Sequence, residues 1–201
     1  MKEAFFALVD QLPSADAAQR KALEASIWEQ FGVERAVMAL DMSHFSLSVR
    51  RDGILSYLGL IRRMQAITAP IIERCKGTVV EFHADNVMAV FPDVADAVEA
   101  SLAINTACDA QPGPNGAPLI EVGIGIDHGR FLFVGGCHCY GDAVNTAFKL
   151  GEDLARPGEI LLSEGATRRL ATSFPHGLEE QRFSLSGLDL VTYNIQHRNP
   201  K

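Results

Sequence analysis

The stretch ALDMSHFS, residues 39–46, ends an apolar run on an acidic residue and follows it with small hydroxyls and an aromatic. A bare carboxylate is costly to hide at the end of a buried strand, so Asp41 is either a cap or turn residue or one half of a cation site. A cation site needs a second carboxylate from elsewhere in the chain. Downstream, TVVEFHADNVMAVFP (78–92) reads as two strands meeting at a tight turn around Ala84-Asp85-Asn86, since Asp and Asn favour turns. That turn puts Asp85 at a hairpin tip. If the strand RAVMALDM (35–42) lies beside this hairpin, the two carboxylates converge, and a divalent cation ligated through oxygen relieves their repulsion.

Working outward, helical patterning covers 3–12 and 15–31, separated by Pro13, with Ser14 as N-cap and Gly32 as the helix stop. A helix is expected over 51–75, kinked or restarted at Pro70 and closed by Lys76-Gly77. Another is expected over 93–110, with Val94, Val98, Leu102 and Ile104 on or near one side. QPGPNGAP (111–118) is a loop. LIEVGIGIDHG (119–129) and RFLFVGG (130–136) read as two strands joined by an Asp-His-Gly turn. Then come a helix over 141–155, a strand at GEILLS (158–163), a helix over 164–171 and two last strands within FSLSGLDLVTYNIQ (183–196). The order βααββαβ with additions predicts an α+β, ferredoxin-like domain around a mainly antiparallel sheet. A helical lead-in over 1–33 would precede a domain over 34–197.

At 201 residues the chain suits one such domain, and its 47% apolar and 21% charged residues are ordinary for a globular protein. No apolar run reaches membrane-spanning length, and the N-terminus does not pattern as a signal peptide. A net charge of −7 argues against nucleic-acid binding through phosphate neutralisation. Of four cysteines, Cys75 and Cys108 fall in helical patterns as small core residues, while Cys137 and Cys139 sit too close for an ordinary disulfide. Their CHCY setting, with His138 between, matches no common zinc spacing. A reducing, cytoplasmic location is the expectation.

ALDMSHFS, GTVVEFHADNVMAVFP, VGIGIDHGRFLFVG, YGDAVNTAFKL and PGEILLSEGA, in this order, resemble the class III nucleotide cyclases, the catalytic domains of adenylate and guanylate cyclases. The likeness runs from about Val37 to Tyr193. It implies a head-to-tail homodimer with sites at the interface, each taking metal carboxylates from one protomer and transition-state residues from the other. By that match Asp41, Asp85 and the Met42 carbonyl hold two Mg²⁺ or Mn²⁺ ions. The turn Met42, Ser43, His44, Phe45 and Ser46 would cradle the triphosphate of a nucleoside triphosphate substrate. Asn145 and Lys149, one helical turn apart and so on one face, would stabilise the transition state.

The chain departs from the family in several places. Lys149 replaces an expected Arg and loses its bidentate fork. Ser186 stands where a Lys usually binds triphosphate. His44 and Ala84 replace glycines. The base-reading positions hold Glu81 and His138; Glu81 can accept from the N1–H and 2-amino group of guanine, and His138 fits neither the adenine nor the guanine code. These departures keep open a second reading, a degenerate cyclase-homology module that binds nucleotide or dimerises without turnover. His83 and His128 read as structural or exposed residues, and Phe131 with Phe133 as strand packing.

Overall fold

The computed structural model describes residues 1–43, 50, 53–113, 118–185 and 188–197. In chain order these form α1 (Lys2–Val9), α2 (Ala17–Phe31), β1 (Gly32–Met42), α3 (Ile54–Arg74), β2 (Thr78–His83), β3 (Asn86–Phe91) and α4 (Val94–Asp109). There follow β4 (Val122–Val134), β5 (His138–Tyr140), α5 (Asp142–Phe148), β6 (Ile160–Ser163), α6 (Glu164–Thr167), β7 (Gly177–Leu185) and β8 (Leu188–Gln196). The strands join one sheet in the order β2-β3-β1-β4-β6-β8-β7, with β5 paired to β4 off that path. Only β4 and β6 run parallel among these pairings; the rest are antiparallel.

Alternation along β1 sorts the sheet into two faces. Ala36, Met38, Leu40 and Met42 join the larger core under α3 and α4. Val37 and Ala39 face the opposite way, against Val144 and Ala147 of α5. Asp41 shares their parity, so it lies on the α5 side. The lead-in helices do not stand apart: Phe5, Ile27 and Phe31 pack on Val134 at the end of β4.

Several expectations change. The Asp127-His128-Gly129 turn does not form; β4 runs straight through it. Its ladder with β1 extends from Gly32↔Leu132 to Met42↔Val122, which holds the chain extended. The buried Asp127 carboxylate accepts from the His128 N–H at 2.7 Å and from the Ser163 hydroxyl, so it needs no turn to satisfy it. The hairpin comes later, at Gly135 and Gly136 with φ of 63° and 75°.

Gly32 is not a left-handed helix stop. At φ −74° and ψ 131° it opens β1, and a Cβ there would sit 2.4 Å from the Trp28 carbonyl oxygen. Close approach, not backbone freedom, requires glycine. Asp16, not Ser14, caps α2, through a capping box with Gln19. Helix α3 continues through Pro70, its apolar face buried by Ile61, Met64, Ile71 and Ile72. The helix after β6 is four residues, and β7 begins at Gly177, an edge strand whose polar GLEEQR hides the alternation.

Candidate active site

The ladder between β1 and β3 sets Asp41 opposite Asn86, the residue after Asp85. The Met42 N–H donates to the Asp85 carbonyl at 3.3 Å, which draws the strand end onto the hairpin tip. Both expected carboxylates therefore meet at one corner of the sheet. Ala84 reaches this tip with φ 49°, a left-handed conformation that costs a residue with a Cβ about 1 kcal/mol. Burial, then the Asp85 and Glu152 charges, push the Asp41 carboxyl up to about 7.

Two residues that the sequence reading missed support this corner. The Tyr57 hydroxyl donates to Asp85 Oδ2 at 3.4 Å, and burial with the nearby carboxylates keeps that phenol protonated. Glu152 accepts from Asn86 Nδ2 and adds a third negative charge near Asp41. Burial and Asp153 raise the Glu152 carboxyl in turn. Tyr57 carried no signal in an apolar helix. Glu152 could have been found from the Gly-Glu-Asp run, had its helix been seen to change pitch.

That change of pitch follows α5, which passes at Lys149 into a π-helical turn, Lys149–Leu154. Such turns insert one residue per turn and recur at functional sites. Gly151 lets the turn lie flat on β1: a Cβ there would sit 2.5 Å from the Ala39 oxygen. Glu152 thereby reaches toward Asn86. Asn145 and Lys149 line one cavity of about 520 Å³, as their spacing predicts. Among the described residues that line it, Lys149 is the one cation, against Asp142, Glu152 and Asp153.

Glu81 and His138 also come together, across a second cavity of about 270 Å³ shared with Met88, Tyr140, Val144 and Phe148. A β-bulge makes this possible. Val79 pairs with Ala89, yet Glu81 pairs with Met88, so Val80 is an extra residue. Were Val80 paired in regular alternation instead, Glu81 would share the face of Val79, under α3.

The expected phosphate cradle is only partly described. The N–H groups of Met42 and Ser43 are taken by the carbonyls of Asp85 and Glu121, at 3.3 and 2.9 Å, which removes two expected donors. His44, Phe45, Ser46 and Ser186 lie outside the described residues. Cys137 and Cys139 are free thiols, and no cluster of three or more metal-ligating side chains occurs among the described residues. No described helix is long and apolar enough to cross a membrane.

The catalytic core of a rhodopsin-guanylyl cyclase with converted specificity, in complex with ATPαS, superposes at a TM-score of 0.71 with 20% identity, covering 84% of this chain and 99% of that one. This is the class III nucleotide cyclase fold. The guanylate cyclase domain of RhGC from Catenaria anguillulae, in complex with GTP, has the same cyclase fold, at a TM-score of 0.68 with 21% identity over 83% of this chain and 97% of that one. In sequence, the "Putative adenylate cyclase 3" of Rhizobium meliloti (strain 1021) is 27% identical over 133 residues, 65% of this chain. The match spans 22% of that relative's length. No protein-family model matches the chain. The cyclase fold confirms the α+β architecture with a mainly antiparallel sheet and a helical N-terminus.

Proposed function

We propose that this chain is a nucleotide cyclase domain that converts a nucleoside triphosphate, GTP by preference, to its 3′,5′-cyclic nucleotide and pyrophosphate. The observation that carries the reading is the meeting of Asp41 and Asp85 at a corner where burial and mutual repulsion hold Asp41 up to about 7. The donors fit two Mg²⁺ or Mn²⁺ ions: two carboxylates and the Met42 carbonyl supply oxygen alone. The Asn86 Oδ1 beside them is buried without a hydrogen-bond partner. Bound there, such ions would acidify the ribose 3′-hydroxyl and neutralise charge on the α-phosphate.

In the reaction the ribose 3′-oxygen bonds to the α-phosphorus and gives up its proton. The bond from that phosphorus to the bridging oxygen breaks, and pyrophosphate leaves. Asn145 and Lys149 donate to the phosphate as its charge redistributes, and Glu81 accepts from the guanine edge. The interface arrangement implied by the resemblance supplies these groups from the partner of a homodimer, in the cytoplasm. A second reading, nucleotide binding without turnover, is favoured by the cavity around Lys149, where three carboxylates oppose one cation that must receive a polyphosphate.

The test is a turnover assay with Mn²⁺ and ATP, GTP, CTP or UTP in separate reactions, with cyclic product read by mass. Cyclic GMP in excess, abolished by Asp85→Ala and shifted toward cyclic AMP by Glu81→Lys, is the expected result. Silence with all four, from a folded dimer, moves the assignment to the second reading.

A further inference from the structure

An aromatic ladder joins the N-terminal helices to the strand that carries His138. The Phe5 ring of α1 lies parallel to Tyr140, with centroids 5.7 Å apart and planes 6° apart. Tyr140 stacks in turn on His138, at 6.5 Å and 25°. Phe5 is the fixed end of the ladder. It is buried, meets Phe31 edge-on at 5.2 Å and packs with Ile27 and Val134. Tyr140 is the open end: 42% exposed, it lines the same cavity as Glu81 and His138.

The backbone gives β5 little support of its own. It is three residues long, pairs with β4 at three positions, and follows two glycines with positive φ. A short arm of this kind leaves its side-chain orientation to be set by what packs on it. On the far side of Tyr140 that packing is Phe5.

We propose that Phe5, acting through Tyr140, positions His138 in the wall of the base cavity, so that α1 governs how well the site discriminates between bases. Phe5 touches no nucleotide in this scheme; it is a positioning residue. The inference rests on the reading of that cavity as the base site. It gives the lead-in a task in recognition that nothing in its sequence announces.

The experiment uses the whole chain and measures equilibrium binding of fluorescent GTP and ATP analogues with Ca²⁺ in place of Mn²⁺, beside competition by inorganic triphosphate. Phe5→Ala is expected to weaken the preferred nucleotide by about threefold to tenfold, the range an aromatic pair spans, and to narrow the difference between bases. Inorganic triphosphate should compete as well as before. Leu8→Ala, which thins the same apolar cluster but keeps the ring, should leave discrimination intact. If Phe5→Ala unfolds the chain, Tyr140→Leu makes the same test from the other end. The His138 ring-proton shifts, assigned with His138→Gln, should move in either variant.

Unchanged discrimination and unchanged His138 shifts in a folded variant overturn the proposal. Wild-type protein that binds neither analogue overturns the nucleotide-site reading itself, a different result from the first.

Discussion

The two halves of the candidate site are built in opposite ways. The carboxylate corner is the product of regular structure: an antiparallel register sets Asp41 against Asn86, and a two-residue turn presents Asp85. The opposing wall is the product of irregularities. A bulge at Val80 aims Glu81, a short arm carries His138, and a π-helical turn follows Lys149. Regular pairing fixes where charge accumulates, while departures from it choose which side chains line the two cavities. The corner is also the electrostatically uncomfortable half, and the wall the adaptable one.

The sharpest way to break this contrast is Asp41→Asn. It should lower cyclic-product formation by about a hundredfold or more, yet raise the stability of the metal-free protein above neutral pH. The sign follows from the shift. Asp41 sits at about 7 in the folded chain against 3.8 as a free side chain, so the folded state holds the proton more tightly. The cost of ionising it is absent below pH 4, grows through the interval and is complete above about 7. Melting temperatures without metal should therefore fall from pH 5 to pH 8 in the wild type, by an amount worth about 1 kcal/mol after solvent screening. Asp41→Asn should flatten that fall, and a fall of wild-type size in the variant would refute the corner's strain.

Glu152→Gln probes the seam between the halves. The carboxamide oxygen can still accept from Asn86, but the charge beside Asp41 is gone. The pH midpoint of the metal-free melting curve should move down by about half a pH unit. An unmoved midpoint would make Glu152 a spectator. Tyr57→Phe should cost about 1 kcal/mol of stability and lower kcat with KM unchanged, as expected of a group that holds a ligand in place. Ala84→Gly should have the smallest effect, a gain of about 0.5 kcal/mol on denaturant unfolding from relief of the left-handed backbone at the tip.

Regular structure was legible in the sequence because local preference and burial agree there. The apolar run of 35–42, the Ala84-Asp85-Asn86 turn and the helix over 93–110 each carry their own signal, and the fold followed from them. β4 misled because Asp-His-Gly is a turn sequence in isolation. Eleven paired positions with β1 override it, and Asp127 finds its partners within the sheet. The irregular features were illegible for a different reason. An extra residue in a strand or a helix changes no residue type, and it appears only when the partner's register is known. Glu81, Asn145 and Lys149 could be named from motif position, but the bulge and the π-helical turn that set their surroundings could not.

If Glu81 reads the base as proposed, the bulge at Val80 gives residue count, as well as residue type, a say in recognition. Removing Val80 alone would leave Glu81 opposite Met88, but removing Phe82, between the bulge and the turn, would set Glu81 opposite Val87 and send its carboxylate to the α3 side of the sheet. Grafting a different base preference onto this scaffold is then a matter of spacing before it is a matter of chemistry. On that reading, a frame-preserving loss or gain of one residue between Glu81 and the turn would erase the specificity that every point substitution at Glu81 presupposes.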